Sequence, residues 1–87
     1  MLKLLYTKRF LKSAKKIPFH IQNKLGDRLE ILQESPFRRS LQTKSLTGPL
    51  SGFYSFRITR DWRVIFVFTE SRIIKIVDVA HRKDIYK

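Results

Sequence analysis

Three side chains of complementary chemistry stand close together near the end of the sequence: His81, Arg82 and Tyr86. An imidazole moves protons near neutral pH, a guanidinium presents a planar fork that matches phosphate oxygens, and a phenol stacks on a base or donates a hydrogen bond. Two further guanidiniums, Arg57 and Arg63, occur in segments of alternating apolar and polar character. Side chains alternate across a strand, so both are expected on the face of a sheet opposite its core. A proton carrier, several phosphate-binding forks and an aromatic ring suit chemistry on a phosphate-containing polymer.

The charge agrees with that reading. The 87 residues carry 19 Lys or Arg against 7 Asp or Glu, a net charge of +12. A field of that size draws polyanions, nucleic acid foremost. There is no cysteine, and His20 and His81 are the only histidines. This removes disulfides, thiolate zinc sites and cysteine nucleophiles, and no metal or other cofactor is expected. His20 opens a helical segment without chemical companions and is read as structural. No apolar run approaches the length of a membrane span, and the charged opening segment does not suit a signal peptide, so the expected location is cytoplasmic. A chain this short has room for one core, hence a single domain over residues 1–87.

The elements that must position these residues follow from periodicity. Met1 to Tyr6 predicts a short strand, with Thr7 as the N-cap of a helix whose apolar side is Phe10, Leu11, Ala14 and Ile17. Its outer face carries Lys8, Arg9, Lys12, Lys15 and Lys16. Pro18 is expected in the first turn of a second helix with the stripe Ile21, Leu25, Leu29 and Leu32, ended by Ser35-Pro36. The polar stretch from Phe37 to Gly52 reads as a long loop with little structure of its own, and loops of that length in small domains are often functional. Phe53–Ile58, Trp62–Phe68 and Arg72–Val79 then predict three strands, leaving His81 just beyond the last, on the side of the open face. The order β-α-α-β-β-β predicts an α+β domain, its helical hairpin packed on one face of a mainly antiparallel, twisted sheet.

The blocks Gly52-Phe53-Tyr54-Ser55-Phe56-Arg57, Asp61-Trp62-Arg63-Val64-Ile65-Phe66 and His81-Arg82-Lys83-Asp84-Ile85-Tyr86 resemble the RelE/ParE superfamily of bacterial toxins. The Leu46–Gly52 approach and the element order fit as well, and the likeness spans the chain. The resemblance implies the RelE-like microbial RNase fold and the toxin of a type II toxin–antitoxin system. Within the superfamily the sequence looks most like the RelE and YafQ-like messenger RNA interferases, which cut mRNA in the ribosomal A site. The partners so implied are a cognate antitoxin, the bacterial ribosome and mRNA, with no membrane.

Metal-free RNA cleavage needs a base for the 2′-OH proton, an acid for the departing 5′-oxygen and cations for the charge gathered on phosphorus, and it leaves a 2′,3′-cyclic phosphate. Under the resemblance His81 is the expected acid or base, while Arg57, Arg63 and Arg82 grip the phosphate. Tyr86 stacks or assists proton transfer, and Asp61 is a turn residue that serves as a base or orients His81. Trp62 stacks on RNA, and the cluster Lys8, Arg9, Lys12, Lys15 and Lys16 docks on ribosomal RNA. Where the RelE pattern places a Lys on each side of an apolar strand residue, this chain has Ser55 and Arg57 around Phe56, so one cation is missing. The alternatives are a ParE-like toxin that poisons DNA gyrase without nuclease chemistry, and a degenerate, non-toxic homologue.

Overall fold

The computed structural model describes residues 1–86; Lys87, the last residue of the expected domain, lies outside the described residues. The chain runs β1 (Lys3–Tyr6), α1 (Lys8–Lys16), α2 (Phe19–Glu34), β2 (Lys44–Ser45), β3 (Tyr54–Arg57), β4 (Trp62–Glu70) and β5 (Ile73–His81). The strands form one five-stranded sheet in the order β1-β5-β4-β3-β2. Only β1 and β5 pair in parallel; the other neighbours are antiparallel. The two helices pack on this sheet as an α+β fold, as the order of periodicities predicts.

Thr7 is the joint between sheet and helix. Its Oγ1 accepts from the Phe10 N–H at 3.0 Å, capping α1, and stands within hydrogen-bond reach of the carbonyls of Ile76 and Val77 at 3.0 and 2.9 Å. The hydroxyl has one proton to share between those two carbonyls. One side chain thus starts the helix and ties it to β5 at the point where β1 stops pairing. The following turn is also locked: Gln22 Nε2 donates to the carbonyls of Ala14 and Ile17, satisfying acceptors at the end of α1.

Phe10, Ile17, Ile21, Leu25 and Leu32 from the helices bury against Phe56, Val64, Phe66, Ile74, Ile76 and Val79 from the sheet. Tyr54 and Ile58 join Phe56 on this side of the sheet, as alternation predicts. Three expectations need correction. Leu11 is 48% exposed, because the turn of α1 carries it past the core stripe that Phe10 and Ile17 hold. Leu29 is only half-buried, against the core margin. Pro18 precedes the first turn of α2 as its N-cap, with its carbonyl accepting from Ile21 and Gln22.

The stretch from Phe37 to Gly52 is more ordered than a loop reading allows. It holds short 3-10 turns at Arg39–Leu41 and Gly48–Leu50 with β2 between them, and Leu41 is completely buried. The pairing Lys44↔Ser55 and Ser45↔Tyr54 adds a strand to the expected four. A Lys-Ser dipeptide is too short and too polar to show alternation, so only pairing to β3 makes it a strand. Gly52 turns the chain into β3 at a φ of +95°, a conformation that side chains with a Cβ rarely adopt.

Thr7→Ala removes the cap and the tie to β5 together. Its expected cost is about 1–2 kcal/mol in urea unfolding, and Thr7→Ser is expected to recover most of it, since the oxygen and its proton are kept.

Candidate functional site

Strand register decides which side chains share a face. Tyr54↔Phe66 and Phe56↔Val64 point to the helices, so the interleaved rows Ser55↔Ile65 and Arg57↔Arg63 lie on the opposite, open face. Across β4 and β5 the rows continue as Ile65↔Asp78 and Arg63↔Ala80. Arg57 and Arg63 thus share the open face as expected, and the register makes them a directly opposed pair. Like charges in that position repel, and such a pair is better satisfied by an anion than by its own neighbours. Arg63 Nε is also buried without a hydrogen-bond partner among the described residues. A buried unpaired donor costs free energy that an anionic ligand would recover.

The ladder extends one step beyond β4. The Arg82 N–H donates to the Asp61 carbonyl at 2.7 Å, and Arg82 Nε lies 3.4 Å from Asp61 Oδ1. With the two side chains about half exposed, this ion pair adds little stability, but it holds the Arg82 fork at the end of the strand pair. The chain then turns back: the N–H groups of Asp84 and Ile85 both donate to the His81 carbonyl. Ile85 is buried at 4% exposure, and the Tyr86 hydroxyl reaches Ser55 Oγ at 3.4 Å. Tyr86 is thereby brought to the face that carries Arg57 and Arg63.

His81 is placed differently from the expectation. It is the last residue of β5 rather than a residue beyond it, and its register partner is Trp62. Trp62 packs against the core, so His81 belongs to the helix side of the sheet, not to the open face. The two rings meet edge to face at 5.4 Å. The Lys83 N–H donates to His81 Nδ1 at 3.2 Å, which favours the tautomer with its proton on Nε2. Ser13, Lys16, Ile17 and Asp84 line the same hollow as His81 and Trp62. The partner the structure gives the Asp61 side chain is Arg82.

The basic residues of α1 also divide. Lys8, Lys12, Lys15 and Lys16 are exposed. Arg9 is committed to Asp78: its Nε donates to Oδ2 at 3.0 Å, while the Ser13 hydroxyl and the Val79 N–H donate to Oδ1 at 2.6 and 2.9 Å. The Asp78 side chain is only 11% exposed, so these charge-assisted bonds offset its burial. Asp78 and Ser13 escaped the sequence reading, although an acidic residue inside the run Ile73–Val79 signals a carboxylate that needs partners. Ser55, noted in the sequence only as the place of a missing cation, is the hydroxyl that Tyr86 reaches. Among the described residues no three His, Asp or Glu side chains group as metal ligands. Among the described residues no helix is long and apolar enough to cross a membrane.

Comparison with known proteins adds context to this geometry. The model of the family described as the ParE toxin of the type II toxin–antitoxin system parDE matches residues 4–86. No curated protein sequence matches significantly. Among solved structures, YafQ from E. coli strain BL21(DE3) superposes with a TM-score of 0.83 at 16% identity, with all of both chains covered. The RelB–RelE antitoxin–toxin complex from Methanococcus jannaschii is similar at TM-score 0.76 and 28% identity, covering 94% of each chain. The archaeal RelE–RelB complex from Pyrococcus horikoshii OT3 gives 0.76 at 24% identity, covering 95% of this chain and 97% of that one.

Asp78→Ala is expected to lower stability by at least about 1.5 kcal/mol in urea unfolding, because it removes hydrogen bonds to a charged group that joins α1 to β5. Asp61→Ala, which removes only the exposed ion pair, is expected to cost under about 1 kcal/mol.

Proposed function

The chain belongs to the ParE toxin family of type II toxin–antitoxin systems, and on that premise we propose that it is a metal-independent endoribonuclease that cuts mRNA in the ribosomal A site. The observation that carries the proposal is the opposed pair Arg57–Arg63 on the open face, with Arg82 held by Asp61 at one end and Tyr86 folded over Ser55. Three guanidiniums on one face suit the extra negative charge of a phosphorane better than that of a resting diester, which is the condition for catalysis.

In the proposed reaction the 2′-oxygen attacks the adjacent phosphorus, the bond from phosphorus to the 5′-oxygen breaks, and a 2′,3′-cyclic phosphate remains. The proton leaving the 2′-OH and the proton reaching the 5′-oxygen need carriers on the face where the phosphate lies. Of the carboxylates near that face Asp78 is committed to Arg9, Ser13 and Val79, so in this scheme Asp61, beside Arg82, takes the first proton and the Tyr86 hydroxyl gives the second, with His81 on the helix side left out. Lys8, Lys12, Lys15 and Lys16 bind ribosomal RNA through its phosphates, which positions the protein without reading sequence. Trp62, packed beside His81, is a margin of the core rather than a stacking platform in this scheme.

The proposed inhibitor is a cognate antitoxin that covers the basic surface. The net charge of +12 supports an acidic partner, and the similar archaeal structures are themselves antitoxin–toxin complexes. The matched family bears the ParE name, which favours a second reading: a DNA gyrase poison without nuclease chemistry.

On bacterial ribosomes programmed with a defined mRNA, codon-phased cuts are expected from the wild type. Arg63→Ala and Arg82→Ala are expected to slow them by about 10²–10³-fold, the usual scale for losing one preorganised charge donor. His81→Ala is expected to slow them less than about tenfold; a larger loss there than at the arginines would return the proton chemistry to His81. Absence of cuts from a protein that is still toxic and inhibits gyrase supercoiling would establish the second reading.

A further inference from the structure

The open face holds more than the phosphate-binding row. Two residues along the strands from Arg57–Arg63, about 7 Å away, runs the row Ser55–Ile65–Asp78. A concavity of about 420 Å³ lies over it, walled by Leu50, Phe53, Ile65, Val77, Ile85 and Tyr86. Its polar contributors are Arg9 and Asp78. Tyr86 borders this hollow and at the same time bonds Ser55, the neighbour of the phosphate-binding pair.

Arg9 has the form of a reading group. Its Nε is fixed on Asp78, itself held by Ser13 and the Val79 N–H, so the guanidinium is oriented from behind. The bond to Asp78 engages Nε, and the side chain remains 68% exposed, which leaves the Nη side of the fork open to a ligand. An oriented fork with its Nη side open at the margin of an apolar, aromatic-walled hollow matches the O6 and N7 acceptors of guanine, a pairing worth a clear discrimination against the other bases. Adenine presents a donor where guanine presents O6, and cytosine and uracil lack the second acceptor of that edge. Unstacked bases of single-stranded RNA are the kind that such hollows receive, between aromatic and apolar surfaces.

We propose that this hollow receives a guanine base of the mRNA next to the cut, read by the Nη groups of Arg9 while Phe53 and Tyr86 flank its ring. The inference rests on the ribonuclease reading for its place in the reaction, since the base sits one row from the phosphate. Asp78 is then a positioning residue: it aims Arg9 and does not touch the RNA.

Two measurements test it. The first is the ratio of cutting at messages with guanine against adenine beside the scissile phosphate, on programmed ribosomes. A ratio of tenfold or more is expected for the wild type, falling to near unity in Arg9→Lys, which keeps the charge on Asp78 and loses the fork. A wild-type ratio near unity, or one that Arg9→Lys leaves intact, overturns the proposal. The second needs no cleavage: guanosine and cytidine 3′-monophosphates are titrated separately into the free protein while the methyl NMR signals of Ile65, Val77 and Ile85 are followed. Shifts with the guanosine compound alone, lost in Arg9→Lys, are expected; equal shifts with both, or none, overturn the guanine site. If the protein cuts no RNA yet shows the guanosine-specific shifts, the ribonuclease reading fails and the base site stands.

Discussion

The register between β4 and β5 is the constraint on which the rest of the molecule depends. It runs evenly from Trp62↔His81 to Ile65↔Asp78 and then slips, so that Phe66 opposes Ile76 and Val77 is the extra residue. Because side chains alternate with a period of two, that one residue exchanges the faces of everything beyond it. Ile74 and Ile76 bury on the helix side before the slip, and Val79 buries on the same side after it. The slip therefore turns Asp78 toward the open face and His81 toward the helices. Without it the acid would face the core and the imidazole would face the arginines.

The bulge also marks the place where one edge of β5 changes partner. β1 accompanies the strand only from Ile73 to Ile76, after which Thr7, Arg9 and Ser13 supply hydrogen bonds to residues Ile76 to Asp78. The parallel strand thus gives way to the side of a helix, which Thr7 joins to the backbone of β5 and Arg9 and Ser13 to its Asp78 carboxylate. Asp78 accepts three bonds in this arrangement, and the arginine it holds is the one side chain of the basic α1 face that is fixed rather than solvated. Fixation and an open Nη side in one group make Arg9 different in kind from its lysine neighbours, whose flexible ammonium groups act as point charges.

The open face is then a balance of two chemistries. One row concentrates positive charge, with Arg57 opposed to Arg63 and Arg82 adjoining, which costs self-repulsion in the free protein. The next row is polar or apolar at Ser55 and Ile65 and ends in a neutralised acid. The final turn, through buried Ile85 and exposed Tyr86, lies over the boundary between them. A strand of RNA has the same division, charged phosphates on one side and ring faces on the other. That correspondence, together with the net charge, supports the proposed polyanionic substrate on grounds independent of fold similarity, since related folds carry different activities.

Much was determined by sequence alone. The amphipathic pattern of the two helices, the Thr7 cap and the three long strands follow from local preferences that the sheet does not oppose. The excess of cations implied a polyanionic partner, the blocks around Arg57, Asp61 and His81 carried the resemblance to the superfamily, and alternation put Arg57 and Arg63 on one face, while their direct opposition came from the register. Tertiary structure decided the rest, for reasons that local pattern cannot carry. A bulge is a relation between two strands, so the sequence of β5 does not announce that His81 and Asp78 exchange faces. A two-residue strand such as Lys44–Ser45 exists only through its partner. Whether a lysine-rich helix face is uniformly solvated or contains one anchored arginine depends on a carboxylate 69 positions away, brought there by the parallel pairing of the first strand with the last.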